Sequence, residues 1–98
     1  MTDSATPEIS VVIPVCNEEG NVIPLAREIA ASLQGTPFEI LFIDDGSTDR
    51  TMAAIAQAHL ANPRVRALSL SRNFGKEAAL SAGLDQARGS AVVPMDVD

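Results

Sequence analysis

Residues 40–51 read ILFIDDGSTDRT, and the fold turns on how they are understood. An apolar run halts at two adjacent aspartates, and a glycine, two hydroxyl residues and a third aspartate follow. A short apolar run without polar alternation suits a strand covered on both faces, while Gly with Ser, Thr and Asp suits a turn that opens a helix. Adjacent carboxylates repel each other and resist desolvation, so Asp44 and Asp45 at the end of a buried strand require something to offset them.

The same pattern recurs along the chain. Residues 9–15 (ISVVIPV), 38–43 (FEILFI), 65–70 (VRALSL) and 91–95 (AVVPM) are short apolar runs and predict four strands. Between the first two, Ile23, Leu25, Ala26, Ile29, Ala30 and Leu33 recur at helical spacing, and Gly35 with Pro37 stops that helix. A second helix follows DGSTD, with Met52, Ile55, Ala56 and Leu60 on its apolar side, and ends near Asn62 and Pro63. A third carries Leu80 and Leu84 and is closed by Gly89, while its small residues Ala78, Ala79, Ser81, Ala82 and Gly83 predict close packing on a sheet. Alternating strands and helices with short connections predict an α/β fold, an open parallel sheet with helices on both faces. The polar residues 1–8 read as an arm, and residues 9–98 as one domain.

Composition narrows the function. A chain of 98 residues with 46% hydrophobic content supports one core. Its net charge of −6 argues against a nucleic-acid or anionic-membrane surface, which needs clustered Lys and Arg. One cysteine, Cys16, allows no internal disulfide and suggests a reducing, cytoplasmic setting. No apolar run approaches the roughly 18 residues of a membrane helix, and the polar start MTDSATPE does not read as a signal peptide.

In parallel sheets of this kind, ligands bind beyond the carboxyl ends of the strands, where the strand order switches. The polar signals fall there: PVCNEE, DDGSTD, SRNFGK and DVD each follow a predicted strand. Ser47, Thr48 and Asp49 suit capping of the second helix, but Asp44 and Asp45 precede the cap and suit a ligand, such as a nucleobase imide N–H or a ribose hydroxyl. Asp96 and Asp98, one residue apart in an extended segment, point the same way and suit a shared hard cation on a diphosphate. Gly75 allows backbone to approach a ligand at a helix start; Arg72 and Lys76 suit either phosphate or solvent. Asn17 and Glu18 suit either a cap on the first helix or a ligand, and Pro14 either ends its strand or lies flat beside a base.

Together these motifs resemble the N-terminal half of a family-2 glycosyltransferase of the GT-A fold. The matching stretches are SVVIPVCNEEGNV, EILFIDDGSTDRT, LSRNFGKEAALSAGLDQARG and VVPMDVD, and they cover nearly everything from Ser10 onward. The third stretch is similar to the polyprenyl-phosphate branch, which includes bactoprenol glucosyltransferases and dolichol-phosphate mannose synthases. The resemblance implies a UDP- or GDP-hexose donor, Mg2+ or Mn2+, a polyprenyl phosphate acceptor and inversion at the transferred sugar. Glucose from UDP-glucose is the leading expectation and mannose from GDP-mannose the next. Pro14, Val15 and Cys16 would line the base pocket, with Glu18 beside it; Asp45 would bind the base with Asp44 in support. Arg72 and Lys76 would sit near the donor, Asp96 near ribose and metal, and Asp98 directly on the metal.

Such enzymes continue well beyond the D-x-D motif, and their branch works at the cytoplasmic face of the membrane. The chain is therefore expected to be a fragment truncated after that motif, inactive by itself, with an exposed apolar fourth strand and a tendency to self-associate. Any catalytic base would lie beyond residue 98. A phosphoacceptor receiver domain would place its acidic pair after strand one, and a dinucleotide-binding domain needs G-x-G-x-x-G there; PVCNEE is neither.

Overall fold

The computed structural model describes residues 6–97. Seven elements alternate: β1 (Ile9–Val15), α1 (Val22–Ser32), β2 (Phe38–Asp44), α2 (Thr51–Ala61), β3 (Val65–Ser69), α3 (Lys76–Gln86) and β4 (Ala91–Pro94). They are the expected elements, with ends shifted by one or a few residues. All strand pairs are parallel, and the sheet order is β3-β2-β1-β4.

The period of two in a strand sorts the core into two layers. Val11, Ile13 and Val15 of β1, with Ile40 and Phe42 of β2, face α1 and α2 and pack on Val22, Ala26, Ile29, Ile55 and Ala58. Val12, Leu41 and Ile43 face the other way, onto Ala79 and Leu80 of α3. Every residue of β2 is buried, which is why its sequence shows an apolar run rather than alternation. Gly83 sets the distance of α3 from the sheet, because a Cβ there would stand 2.7 Å from Ile43 Cδ1. Of the small residues of α3, Ala79 and Gly83 serve close packing as expected, whereas Ala78 and Ser81 are exposed on the outer face of the helix and do not.

The path through the sheet positions the site. From β1 the chain steps outward to β2 and β3, with α1 and α2 on one face. Then α3 carries it back across the opposite face to β4, on the far side of β1. Strand order reverses at β1, and the carboxyl ends of β1 and β4 flank the switch. As expected, β4 is an edge with exposed apolar side chains, Val92 and Val93. No helix among the described residues is long and apolar enough to cross a membrane.

Candidate functional site

Three loops meet above the carboxyl ends of the strands, held by hydrogen bonds between residues distant in sequence. Asn17 takes a positive φ of 56°, and its Oδ1 accepts from the N–H groups of Thr48 (2.8 Å) and Asp49 (3.3 Å). Ser47 Oγ accepts from Asn17 N–H, and Thr51 Oγ1 from Glu18 N–H. These contacts correct two expectations from sequence. Ser47 and Thr48 do not cap α2, whose N-cap residue is Arg50; they tie its loop to the β1–α1 loop. Neither Asn17 nor Glu18 caps α1; Glu18 instead accepts from Asn21 Nδ2. Loop-to-loop pairing wins because one αL asparagine satisfies several turn N–H groups at once. Only Asp49 serves α2, its Oδ1 accepting from Thr51 N–H and hydroxyl. The Thr51 hydroxyl bond is the main cause of an Asp49 pKa below the usual carboxylate range.

The acidic pair divides. Asp44 Oδ1 accepts from Ser47 N–H at 3.1 Å and closes the turn. Asp45, only 4% exposed, accepts from Phe74 N–H (2.8 Å) and Gly75 N–H (3.0 Å), one at each carboxylate oxygen. Backbone N–H groups of the β3–α3 loop therefore offset this charge, and each oxygen keeps a lone pair for another donor. Asn73 reinforces the junction, its Nδ2 donating to Asp45 O (3.1 Å) and Cys16 Sγ (3.3 Å). Gly46, at φ 72°, permits this approach: a Cβ there would collide with the backbone of Arg72 and Asn73.

These loops border a cleft of about 280 Å³ lined by Pro14, Val15, Cys16, Glu18, Asp45, Asn73, Gly75, Lys76, Asp96 and Val97. Lys76 Nζ and Asp96 Oδ1 form an ion pair at its open side, with both side chains more than half exposed. Of the residues singled out from sequence, Pro14, Val15, Cys16, Glu18, Asp45, Lys76 and Asp96 come together here. Asp44 and Arg72 do not: Asp44 lies under its turn, and the Arg72 guanidinium stands 4.8 Å over the Phe74 ring. Asp98 lies outside the described residues. Asn73 and Val97 were missed; Asn73 sits in a loop flanked by more conspicuous Arg, Gly and Lys, and Val97 carries no polar signal.

The cleft offers an apolar wall, a fixed carboxylate, and an ammonium–carboxylate pair at its mouth. That combination suits a ligand with a hydrogen-bonding ring at one end and an anionic group at the other. Among the described residues no three His, Cys, Asp or Glu side chains gather closely enough to hold a metal ion. Asp96 can still supply one exposed carboxylate, which fits a hard cation that takes its remaining ligands from phosphate and water.

Comparison with known proteins agrees with this geometry. The chain is 47% identical over 96 residues to the uncharacterized glycosyltransferase sll0501 of Synechocystis sp., covering 95% of this chain and 30% of that protein. It is 46% identical over 93 residues to the bactoprenol glucosyl transferase of Shigella phage SfV, covering 93% of this chain and 30% of that protein. The chain thus spans about 30% of the length of the curated relatives it matches. Among solved structures, mannosyltransferase PcManGT from Pyrobaculum calidifontis, in complex with GDP-Man and Mn2+, superposes with a TM-score of 0.78 at 27% identity, over 97% of this chain and 28% of that one. S. aureus TarS 1-349 in complex with UDP-GlcNAc superposes with a TM-score of 0.79 at 29% identity, over 93% of this chain and 26% of that one. These neighbours are glycosyltransferases of the GT-A fold. The family model described as glycosyl transferase family 2 matches residues 10–98, and the chain belongs to that family.

Proposed function

We propose that this chain carries the donor-binding part of a glycosyltransferase that moves a hexose from a nucleotide sugar to a polyprenyl phosphate with inversion. The observation that supports it most is the convergence of Asp45 from the end of β2, Lys76 from the start of α3 and Asp96 from beyond β4 on one cleft at the switch point of the sheet. Pro14, Val15 and Cys16 form the wall against which the base lies, with Glu18 at its border. Asp45, already held by two backbone N–H groups, accepts from the base with little further ordering cost. Asp44 braces the turn beneath it. Lys76 exchanges Asp96 for a donor phosphate, while Arg72, held over the Phe74 ring outside the cleft lining, adds positive charge at longer range. Asp96 and, two residues on in the sequence, Asp98 would hold Mg2+ or Mn2+, which would supply positive charge to neutralise a diphosphate. A polyprenyl phosphate is already anionic and nucleophilic, so this transfer needs no general base from the chain.

The bactoprenol glucosyl transferase relative favours UDP-glucose as donor, and the GDP-Man complex of PcManGT keeps GDP-mannose as the second choice. Coverage of only about 30% of the relatives' length favours a second reading, nucleotide binding without transfer by this chain alone. A cytoplasmic location belongs to the same proposal. Titration calorimetry with UDP and GDP, with and without Mn2+, tests the binding reading; incubation with UDP-glucose and a polyprenyl phosphate then tests transfer. Binding of neither nucleotide at millimolar concentration defeats both readings.

A further inference from the structure

A second cleft, of about 490 Å³, opens at the amino-terminal ends of β2 and β3, opposite the rim that carries the proposed donor site. Three of the chain's seven basic residues, Arg64, Arg66 and Arg88, line it, although they come from the α2–β3 connection, β3 and the α3–β4 connection. The chain has a net charge of −6, yet these three basic residues share a lining that contains a single carboxylate among the described residues. One pairing exists: Arg66 donates to Glu39 Oε1 at 2.5 Å. Glu39 is buried at 4% exposure, its other oxygen accepting from Ser10 Oγ (2.6 Å) and Arg88 N–H (2.8 Å). Burial raises its pKa, but the bonds from Ser10, Arg88 and Arg66, with that guanidinium's charge, outweigh it, and the carboxyl titrates below its usual range.

Glu39 therefore uses its charge to hold Arg66 and the backbone of Arg88 in place. Arg64 is positioned separately, its guanidinium 4.7 Å over the Phe38 ring. Neither Arg64 nor Arg88 forms an ion pair with a carboxylate among the described residues, and both are exposed. Among the described residues that line the cleft, three guanidinia stand against one carboxylate, a local excess of two positive charges. Guanidinium groups match phosphate oxygens in bidentate geometry, and one buried acid already orients part of the set.

We propose that this cleft binds a diphosphate or a closely spaced pair of phosphate groups, held chiefly by Arg64 and Arg88 with Arg66 as the anchored third contact. The phosphates belong either to a soluble metabolite or to a lipid headgroup; the chemistry recognised is the same. The inference does not depend on the proposed donor site, which lies at the opposite, carboxyl-terminal ends of the strands.

The test titrates inorganic pyrophosphate into the 15N-labelled 98-residue chain in metal-free buffer, following amide shifts. Omitting divalent cations disfavours the front rim, where a diphosphate would need one. Saturable shifts at Asn62, Arg64, Arg66 and Arg88, weakening as salt is raised, are expected. Arg64→Ala and Arg88→Ala each weaken binding about tenfold, the scale of one charge-assisted contact, and the double variant abolishes it while retaining the wild-type spectrum elsewhere. Co-sedimentation with vesicles containing phosphatidylglycerol separates the sources: Arg-dependent binding to them assigns the phosphates to a headgroup, and pyrophosphate binding without it assigns them to a soluble compound. Unchanged affinity in the double variant, or shifts confined to the β1–α1 and β3–α3 loops, overturns the proposal.

Discussion

Replacing Asp45 with alanine should damage stability before it damages any chemistry. The carboxylate is 4% exposed and accepts two backbone N–H groups of the β3–α3 loop, at 2.8 and 3.0 Å. Hydrogen bonds to a charged group contribute about 1.5–3 kcal/mol each, so the two together are worth roughly 3–6 kcal/mol if nothing replaces them. Phe74 is half exposed and its loop can open to water, which returns part of that cost. A net loss of about 2–3 kcal/mol remains, a large share of the stability of a domain this size. With a urea m-value of about 1–1.5 kcal/mol/M, the unfolding midpoint falls by about 2 M. Urea unfolding followed by circular dichroism measures that fall, and hydrogen exchange at Phe74 and Gly75 locates it. Asp45→Asn keeps one acceptor oxygen and should lose about half as much. If Asp45→Ala unfolds at the wild-type midpoint and the two amides keep their protection, the carboxylate is not the clamp of this loop.

Gly46→Ala should be comparably harmful, costing about 2–4 kcal/mol, because φ of 72° is strained for alanine and its Cβ meets the backbone of the neighbouring loop; thermal unfolding reads the loss. Acid should weaken the fold through Glu39. Its folded pKa lies below the ordinary 4.5, so its contribution is intact above that value and disappears as pH falls through the lower folded one. Urea midpoints from pH 7 to 3 should decline below about pH 4.5, and Glu39→Gln, weaker at neutral pH, should show a shallower acid decline. Lys76→Ala, whose ion pair is exposed, should leave the unfolding free energy within about 0.5 kcal/mol of wild type while weakening nucleoside diphosphate binding about tenfold by calorimetry.

The layered fold was legible because physics writes it redundantly. Both β1 and β2 are short apolar runs, each helix carries its own stop, and short connections leave a parallel sheet as the economical arrangement. The location of the site followed from polar residues after every strand. What sequence could not assign was the partner of each loop side chain. A local reading gives Ser47 and Thr48 to the helix that follows, whereas the folded chain gives them to Asn17, 30 and 31 residues away. Asn73 escaped notice for the same reason: its value lies in reaching Cys16 and Asp45 at once, a property of the assembled rim rather than of its own stretch. The Arg64, Arg66 and Arg88 cleft was not legible, because its membership depends on which end of the sheet each residue reaches and Arg88 lies far from the other two in sequence.

The central claim, that the cleft between Asp45 and Asp96 takes a nucleotide diphosphate with a divalent cation, is tested most directly by titrating UDP and GDP into the chain in the presence of Mn2+. Asp96→Asn is the decisive comparison, because that side chain is 55% exposed and its loss should not unfold the protein. One of the two nucleotides is expected to bind the wild-type chain more tightly with Mn2+ than without, with Mn2+ broadening the amide signals around Asp96, and Asp96→Asn is expected to erase the metal dependence. Binding that is indifferent to Mn2+ and to Asp96→Asn, or no binding of either nucleotide, would contradict it.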